Sequence, residues 1–151
     1  MFWICLLAVV ALDQVIKFAV SANMHLGESL PLIEGLVYVT YVLNTGAAFS
    51  ILQGQRWFFL VITPVVLAVL LWYVRGVPKK DKLQQLALAL FCGGALGNFI
   101  DRLRFGAVTD FIDFRFFPVF NVADSCIVVG AILLGWRLLA GLKKNDAKEE
   151  A

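Results

Sequence analysis

Apolar residues fall into four long runs, and polar residues gather between them. Met1 to Val20, Trp57 to Val74, Leu83 to Ile100 and Asn121 to about Leu142 are each near the length that crosses a ~30 Å hydrocarbon core as a helix. Trp57, Phe58 and Phe59 at one end of the second run, and Trp72 and Tyr73 at the other, suit the two membrane interfaces. Residues 21–56 change character: Glu28, Pro31 and Gly35 break the helical pattern. Leu36 to Val42 is β-branched and aromatic, which predicts a strand. Asn44-Thr45-Gly46 signals a turn, and Ala47 to Leu52 is a second short apolar segment, so a hairpin or small sheet on the membrane surface is expected. The predicted fold class is a single α-helical membrane domain over 1–151, with four transmembrane helices and a small extracytoplasmic β-hairpin or sheet after the first span. Residues 75–82 form a short polar loop, 102–120 a polar and aromatic connection, and 143–151 a charged tail expected to fray.

Composition agrees with a membrane protein. The chain is 61% hydrophobic with 16% charged residues, against roughly 25% charged in soluble domains. A net charge of +2 without a basic, aromatic-interleaved patch gives no reason to expect nucleic acid as a partner. Cys5, Cys92 and Cys126 lie in apolar runs, and their odd number argues against a disulfide framework; they are expected to be small buried hydrophobes. Val20-Ser21-Ala22 could pass for a signal-peptide cleavage site. The run before it, however, lacks a basic start and is interrupted by Asp13 and Lys17, so a retained span is expected.

Charge asymmetry gives an orientation. The 75–82 loop carries four Lys or Arg and the 143–151 tail three, against Arg56, Arg102, Arg104 and Arg115 on the other side. Both termini are therefore expected in the cytoplasm. That topology carries Asp13, Lys17, Asn44, Asn98, Asp101, Arg102, Asp110, Asp113, Asn121 and Asp124 toward one end of the bundle, the outer face. Carboxylates at this depth are costly and seldom without a role. Asp13 and Lys17 stand four apart on one helical face, so they either neutralise each other or serve the site directly. Asn44 and Gly46 could equally be turn chemistry, and Asp124 a helix cap. Gly93-Gly94-Ala95-Leu96-Gly97 has little side-chain bulk and allows another backbone to approach.

The residue types narrow the chemistry. The single histidine, His25, is remote from the polar cluster, which disfavours serine and cysteine nucleophiles with a histidine base. No HExxH motif is present for a zinc protease. An all-carboxylate Mg²⁺ or Ca²⁺ site remains chemically open. So does a pair of aspartates sharing one proton, one acting as acid while the other activates water. A small proton-coupled transporter using the acids as a relay is the alternative from another class, though no paired repeats support it.

Five motifs then carry a family resemblance: Asp13-x-x-x-Lys17; Asn44-x-Gly46-Ala47-Ala48-Phe49-Ser50; Gly93-Gly94-Ala95-Leu96-Gly97-Asn98-x-x-Asp101-Arg102; Gly106-x-Val108-x-Asp110-Phe111-Ile112-Asp113; and Phe120-Asn121-x-Ala123-Asp124-Ser125. In order and across nearly the whole chain, they resemble lipoprotein signal peptidase (signal peptidase II), a bacterial inner-membrane aspartic protease family. The resemblance implies a four-helix protease that cuts diacylglyceryl-modified prolipoproteins before the lipidated cysteine, among membrane lipids and without metal or cofactor. It implies Asp110 and Asp124 as catalytic aspartates, and Asn44, Gly46, Asn98, Arg102, Asn121, Asp13 and Lys17 as substrate-binding or site-supporting residues. Asp101 is then structural. The choice of Asp110 over Asp113 rests on the family pattern alone. Two departures stand out: a short Asp110–Asp124 connection, and Leu43 where relatives commonly have a basic residue.

Overall fold

The computed structural model describes residues 1–46 and 52–149, with side chains described as far as residue 140. Four helices are long and apolar enough to cross a membrane: α1 (Phe2–Asn23), α2 (Arg56–Val74), α3 (Lys82–Phe105) and α4 (Val122–Glu149). The apolar stretch of α4 ends at Ala140. The helix itself continues to Glu149, so the described part of the charged tail is helical where fraying was expected.

Packing radiates from α3, which touches each of the other three helices. The inward stripe of α1 runs Phe2, Leu6, Val9, Asp13, Lys17, Val20, at the three-and-four spacing of one helical face. Its first half is apolar, and Phe2 and Leu6 pack with Val77, Leu88, Ala89 and Cys92 in a core at one end of the bundle. Its second half is polar and faces the site at the other end. By contrast, α2 has no buried residue and lies at the periphery. Large apolar side chains such as Phe18, Trp57 and Trp136 are 71%, 76% and 68% exposed, which suits a lipid-facing exterior.

Close approach at the small-residue segment occurs as expected. A Cβ on Gly94 would overlap the Ala123 carbonyl oxygen, and one on Gly97 would stand 2.6 Å from Asp13 Oδ2. Only glycine lets α4 and the Asp13 carboxylate lie this near α3.

The small sheet expected after the first span is present, and it takes a third strand from much later in the chain. β1 (Ser29–Ile33) and β2 (Val37–Asn44) pair antiparallel, and β3 (Val108–Asp113) adds to the other edge of β2. Pro31, expected to break the helical pattern, does so and lies within β1, an edge strand whose outer side needs no N–H donor. The apolar segment proposed to complete the hairpin falls at residues 47–51, outside the described residues, and continues only to Leu52. The 102–120 connection is also more ordered than expected. α3 runs to Phe105, where Arg102 and Arg104 sit in its last turn and favour the helix dipole. Arg56 donates to the Arg102 and Leu103 carbonyls, both at 3.0 Å, joining the Gly106 N–H on the first and adding a donor to the second at the helix end. The three cysteines are free; Cys92 is buried as expected, whereas Cys5 and Cys126 are only half-buried.

Candidate active site

Strand alternation separates the two aspartates that the bare sequence could not rank. Asp110 and Asp113 stand three apart on β3 and so face opposite ways. Asp113 accepts hydrogen bonds from Thr40 Oγ1 and the Arg115 N–H, both at 2.7 Å, and pairs with the Arg115 guanidinium at 3.5 Å. Burial works against its charge, yet these contacts hold its carboxyl below the usual carboxylate range. Arg115 also lies over the Tyr38 ring at 3.7 Å and donates to Ser29 Oγ, so this cluster ties the sheet together.

Asp110 instead lines a cavity of about 1000 Å³ together with Asp124, Asn44, Asn98 and Arg102. Phe59 and Thr63 of α2, Ala95 of α3, and Ile127 and Val128 of α4 extend that cavity down the bundle, and Phe117 to Phe120 form part of its rim. Burial, and then the charge of Asp124, push the Asp110 carboxyl up to about 7, against hydrogen bonds from Asn44 and Asn121 and the charge of Lys17. Two carboxylates in one partly dry space disfavour simultaneous ionisation.

Three asparagine amides surround the pair, and each has its oxygen fixed by a group that can only donate. Asn44 Oδ1 accepts from the Gly46 N–H at 2.9 Å, which turns Nδ2 toward Asp110 Oδ2 at 3.0 Å. Asn121 Oδ1 accepts from the Asp124 N–H at 2.8 Å and caps α4, which turns Nδ2 toward Asp110 Oδ1 at 2.6 Å. Asn98 Oδ1 accepts from the Lys17 ammonium at 2.8 Å, and its Nδ2 donates to Asp124 Oδ1 at 2.7 Å. The Asn121 N–H faces Asp124 Oδ2 at 3.4 Å, completing a capping-box arrangement. Asp124 therefore takes part in the helix cap while also opening onto the cavity, so its place in the cap does not remove it from the site.

Arg102 donates to the buried Gly46 carbonyl at 2.7 Å and lies over the Phe59 ring at 4.3 Å, linking α3 to the end of β2 and to α2. Asp13 and Lys17 pair at 2.9 Å, and Lys17 also meets Asp101 at 3.0 Å. Asp13, Lys17, Asn44, Gly46, Asn98, Asp101, Arg102, Asp110, Asn121 and Asp124 thus lie together at this end of the bundle, with Asp113 turned away. Gln14 was missed: it donates to Asp101 Oδ1 at 2.8 Å and to the Gly97 carbonyl at 3.2 Å. A polar residue beside Asp13 in an apolar run was its only signal. Arg56 was counted for orientation alone, although it closes the end of α3. Among the described residues, no group of three or more His, Cys, Asp or Glu is placed to hold a metal ion.

A family model described as signal peptidase (SPase) II matches residues 5–140. The lipoprotein signal peptidase of Bacillus pumilus (strain SAFR-032) is 48% identical over 148 residues, covering 95% of this chain and 96% of that protein. That of Halothermothrix orenii (strain H 168) is 49% identical over 134 residues, covering 89% and 92%. A solved bacterial membrane enzyme superposes with a TM-score of 0.89 at 37% identity, covering 99% of this chain and 92% of its own. A second does so with a TM-score of 0.84 at 38% identity, covering 91% and 92%. With the matched model covering most of the chain, and with relatives near half identity along nearly its whole length, this protein belongs to the signal peptidase II family.

Proposed function

We propose that this multi-pass bacterial membrane protein is an aspartyl endopeptidase that removes signal peptides from diacylglyceryl-modified prolipoproteins, cutting before the lipidated cysteine. Asp110 and Asp124 are its catalytic pair. The observation that carries this reading is the convergence of the two aspartates on one cavity, with three amides aimed at them and the Asp110 carboxyl raised to about 7. A group titrating there can hold the single proton the mechanism needs at neutral pH.

In the ground state the pair shares one proton. A water between the carboxyls attacks the scissile carbonyl carbon and gives a proton to the ionised member, while the protonated member gives its proton to the carbonyl oxygen. The gem-diol then collapses: a hydroxyl proton returns to the pair, the C–N bond breaks, and the departing amine takes a proton from the pair. One water is consumed, and the pair ends with the one proton it began with.

The architecture fits the substrate. Each buried CH₂ of an acyl chain adds roughly 0.8 kcal/mol of membrane affinity, so a lipidated helix stays in the bilayer and must be cut at its surface. A cavity lined by α2, α3 and α4 and polar at one end offers apolar walls to the lipid-anchored chain and an aspartate pair to the peptide. Lys and Arg distribution supports cytoplasmic termini and an active site at the outer face of the cytoplasmic membrane. The proton-relay alternative finds no support among the relatives. Purified protein given a diacylglyceryl-modified prolipoprotein peptide should release the signal peptide, and should do so undiminished in EDTA. No cleavage by folded protein would refute the proposed activity, and loss of activity in chelator would point to a carboxylate metal site instead.

A further inference from the structure

Lys17 is 3% exposed, and nothing in the aspartyl mechanism calls for it. An ammonium has three N–H donors and no acceptor. All three are engaged: with Asp13 Oδ2 at 2.9 Å, Asp101 Oδ2 at 3.0 Å and Asn98 Oδ1 at 2.8 Å. Two carboxylates already compensate the charge. The third contact, to a neutral amide, is the informative one. Because the ammonium only donates, the atom of Asn98 facing it must be oxygen, and Nδ2 is turned to Asp124 Oδ1 at 2.7 Å. Asn121 Nδ2 faces the same Asn98 oxygen at 3.2 Å and enforces the same orientation.

The lysine's two counter-charges are themselves fastened to the elements that carry the aspartates. Asp13 Oδ1 accepts from the Ala123 N–H at 3.0 Å, in the first turn of α4 just before Asp124. Asp101 Oδ2 accepts from the Thr109 N–H at 3.1 Å, just before Asp110 on β3. Lys17 is therefore a hub between α1 and both aspartate-bearing elements.

We infer that Lys17 is a positioning residue for the cleavage reaction. Its ammonium, held between Asp13 and Asp101, locks the Asn98 amide with its donor toward Asp124, tying back Oδ1, while Oδ2, which meets the Asn121 N–H at a long 3.4 Å, stays available to the reaction. This inference rests on the reading of Asp110 and Asp124 as the catalytic pair. The charged groups acting on Asp124 from the packed elements are Lys17 on α1, Arg102 on α3 and Asp110 on β3, with Asp13 and Asp101 paired to Lys17; Arg102 is engaged with the Gly46 carbonyl and Phe59.

Lys17→Met alone would strand two buried carboxylates, so the test combines it with Asp13→Asn. Asp13, Lys17 and Asp101 sum to −1, and Asp101 alone in the double variant is also −1, so the cluster's charge is unchanged. In the double variant kcat should fall about tenfold or more, with KM for lipidated peptide changed less than about twofold. The acidic limb of the kcat/KM profile should rise by about one pH unit, because the ionised pair has lost a fixed donor. Asn98→Leu should reproduce both changes, and combining all three substitutions should add nothing further. Lys17→Gln with Asp13→Asn, which restores a neutral donor, should recover much of the rate. Wild-type kcat and pH profile in the folded double variant, or effects that multiply with Asn98→Leu, overturn the inference. Should the double variant melt far below wild type, Asn98→Leu alone decides: a shifted limb supports the inference and an unshifted one overturns it. Asp110→Asn and Asp124→Asn run beside these variants. Activity in either refutes the catalytic pair itself, whereas inactivity of both with an unaltered Lys17 double variant refutes only the role of Lys17.

Discussion

Replacing Asn121 by alanine and by serine separates its two structural duties. Asn121 is fully buried; its oxygen caps α4 through the Asp124 N–H, and its amide donates to Asp110 at 2.6 Å. Alanine removes both. Loss of the cap costs about 1 kcal/mol, and the broken bonds to buried partners bring the total to about 2 to 4 kcal/mol of stability. Serine keeps an oxygen that can accept from the Asp124 N–H but is too short to bring a donor to Asp110 as well, so it should recover the cap's share and lose only about 1 to 3 kcal/mol. If the amide matters because it orients Asp110, both variants should slow cleavage by about a hundredfold, as loss of a positioned donor does elsewhere. Initial rates on a lipidated prolipoprotein peptide in detergent, with thermal melts of the same samples, read the two effects apart. A serine variant that cleaves at the wild-type rate would reduce Asn121 to a helix cap and refute this role.

Cysteine labelling from outside the cell should reach residues 25–46 and 114–118 but not 75–82; labelling of the 75–82 loop would reverse the orientation and with it the outer-face site. The rate should follow a bell with pH. Its alkaline limb should lie near pH 7, because Asp110 is raised to about 7 and the shared proton is lost as pH climbs through that value. Activity still rising at pH 9 would contradict this. Gly97→Ala should cost about 1 to 3 kcal/mol in a thermal melt, since its Cβ would sit 2.6 Å from Asp13 Oδ2 and push that carboxylate off Lys17; an unchanged melt would mean the contact yields freely.

The spans could be read from the sequence because an apolar run of about twenty residues has few other uses. The gathering of polar residues at one end could be read because carboxylates and amides in such a chain stand out against their surroundings. β3 could not. Val108 to Asp113 is buried at nearly every position, so it lacks the in-and-out alternation that marks a strand, and its two aspartates read as a polar connection. Pro31 hid β1 in the same way, since an edge position tolerates what a central strand does not. The strand register is what distinguishes Asp110 from Asp113, and that register depends on pairing with residues some 70 positions earlier. Gln14 and Arg56 act through hydrogen bonds to α3 across 87 and 46 positions, for which no local pattern exists.

The catalytic pair is tested most directly by three single substitutions measured side by side. Asparagine nearly matches aspartate in shape but can neither take up nor give the shared proton. Asp110→Asn and Asp124→Asn, each inserted in the membrane and folded, should therefore show no detectable cleavage of a lipidated prolipoprotein peptide while still binding it. Asp113→Asn, whose carboxylate is turned toward Thr40 and Arg115, should keep most of the wild-type rate. Substantial turnover by Asp110→Asn or Asp124→Asn would contradict the aspartyl mechanism, and loss of activity in Asp113→Asn alone would move the pair to the other face of β3.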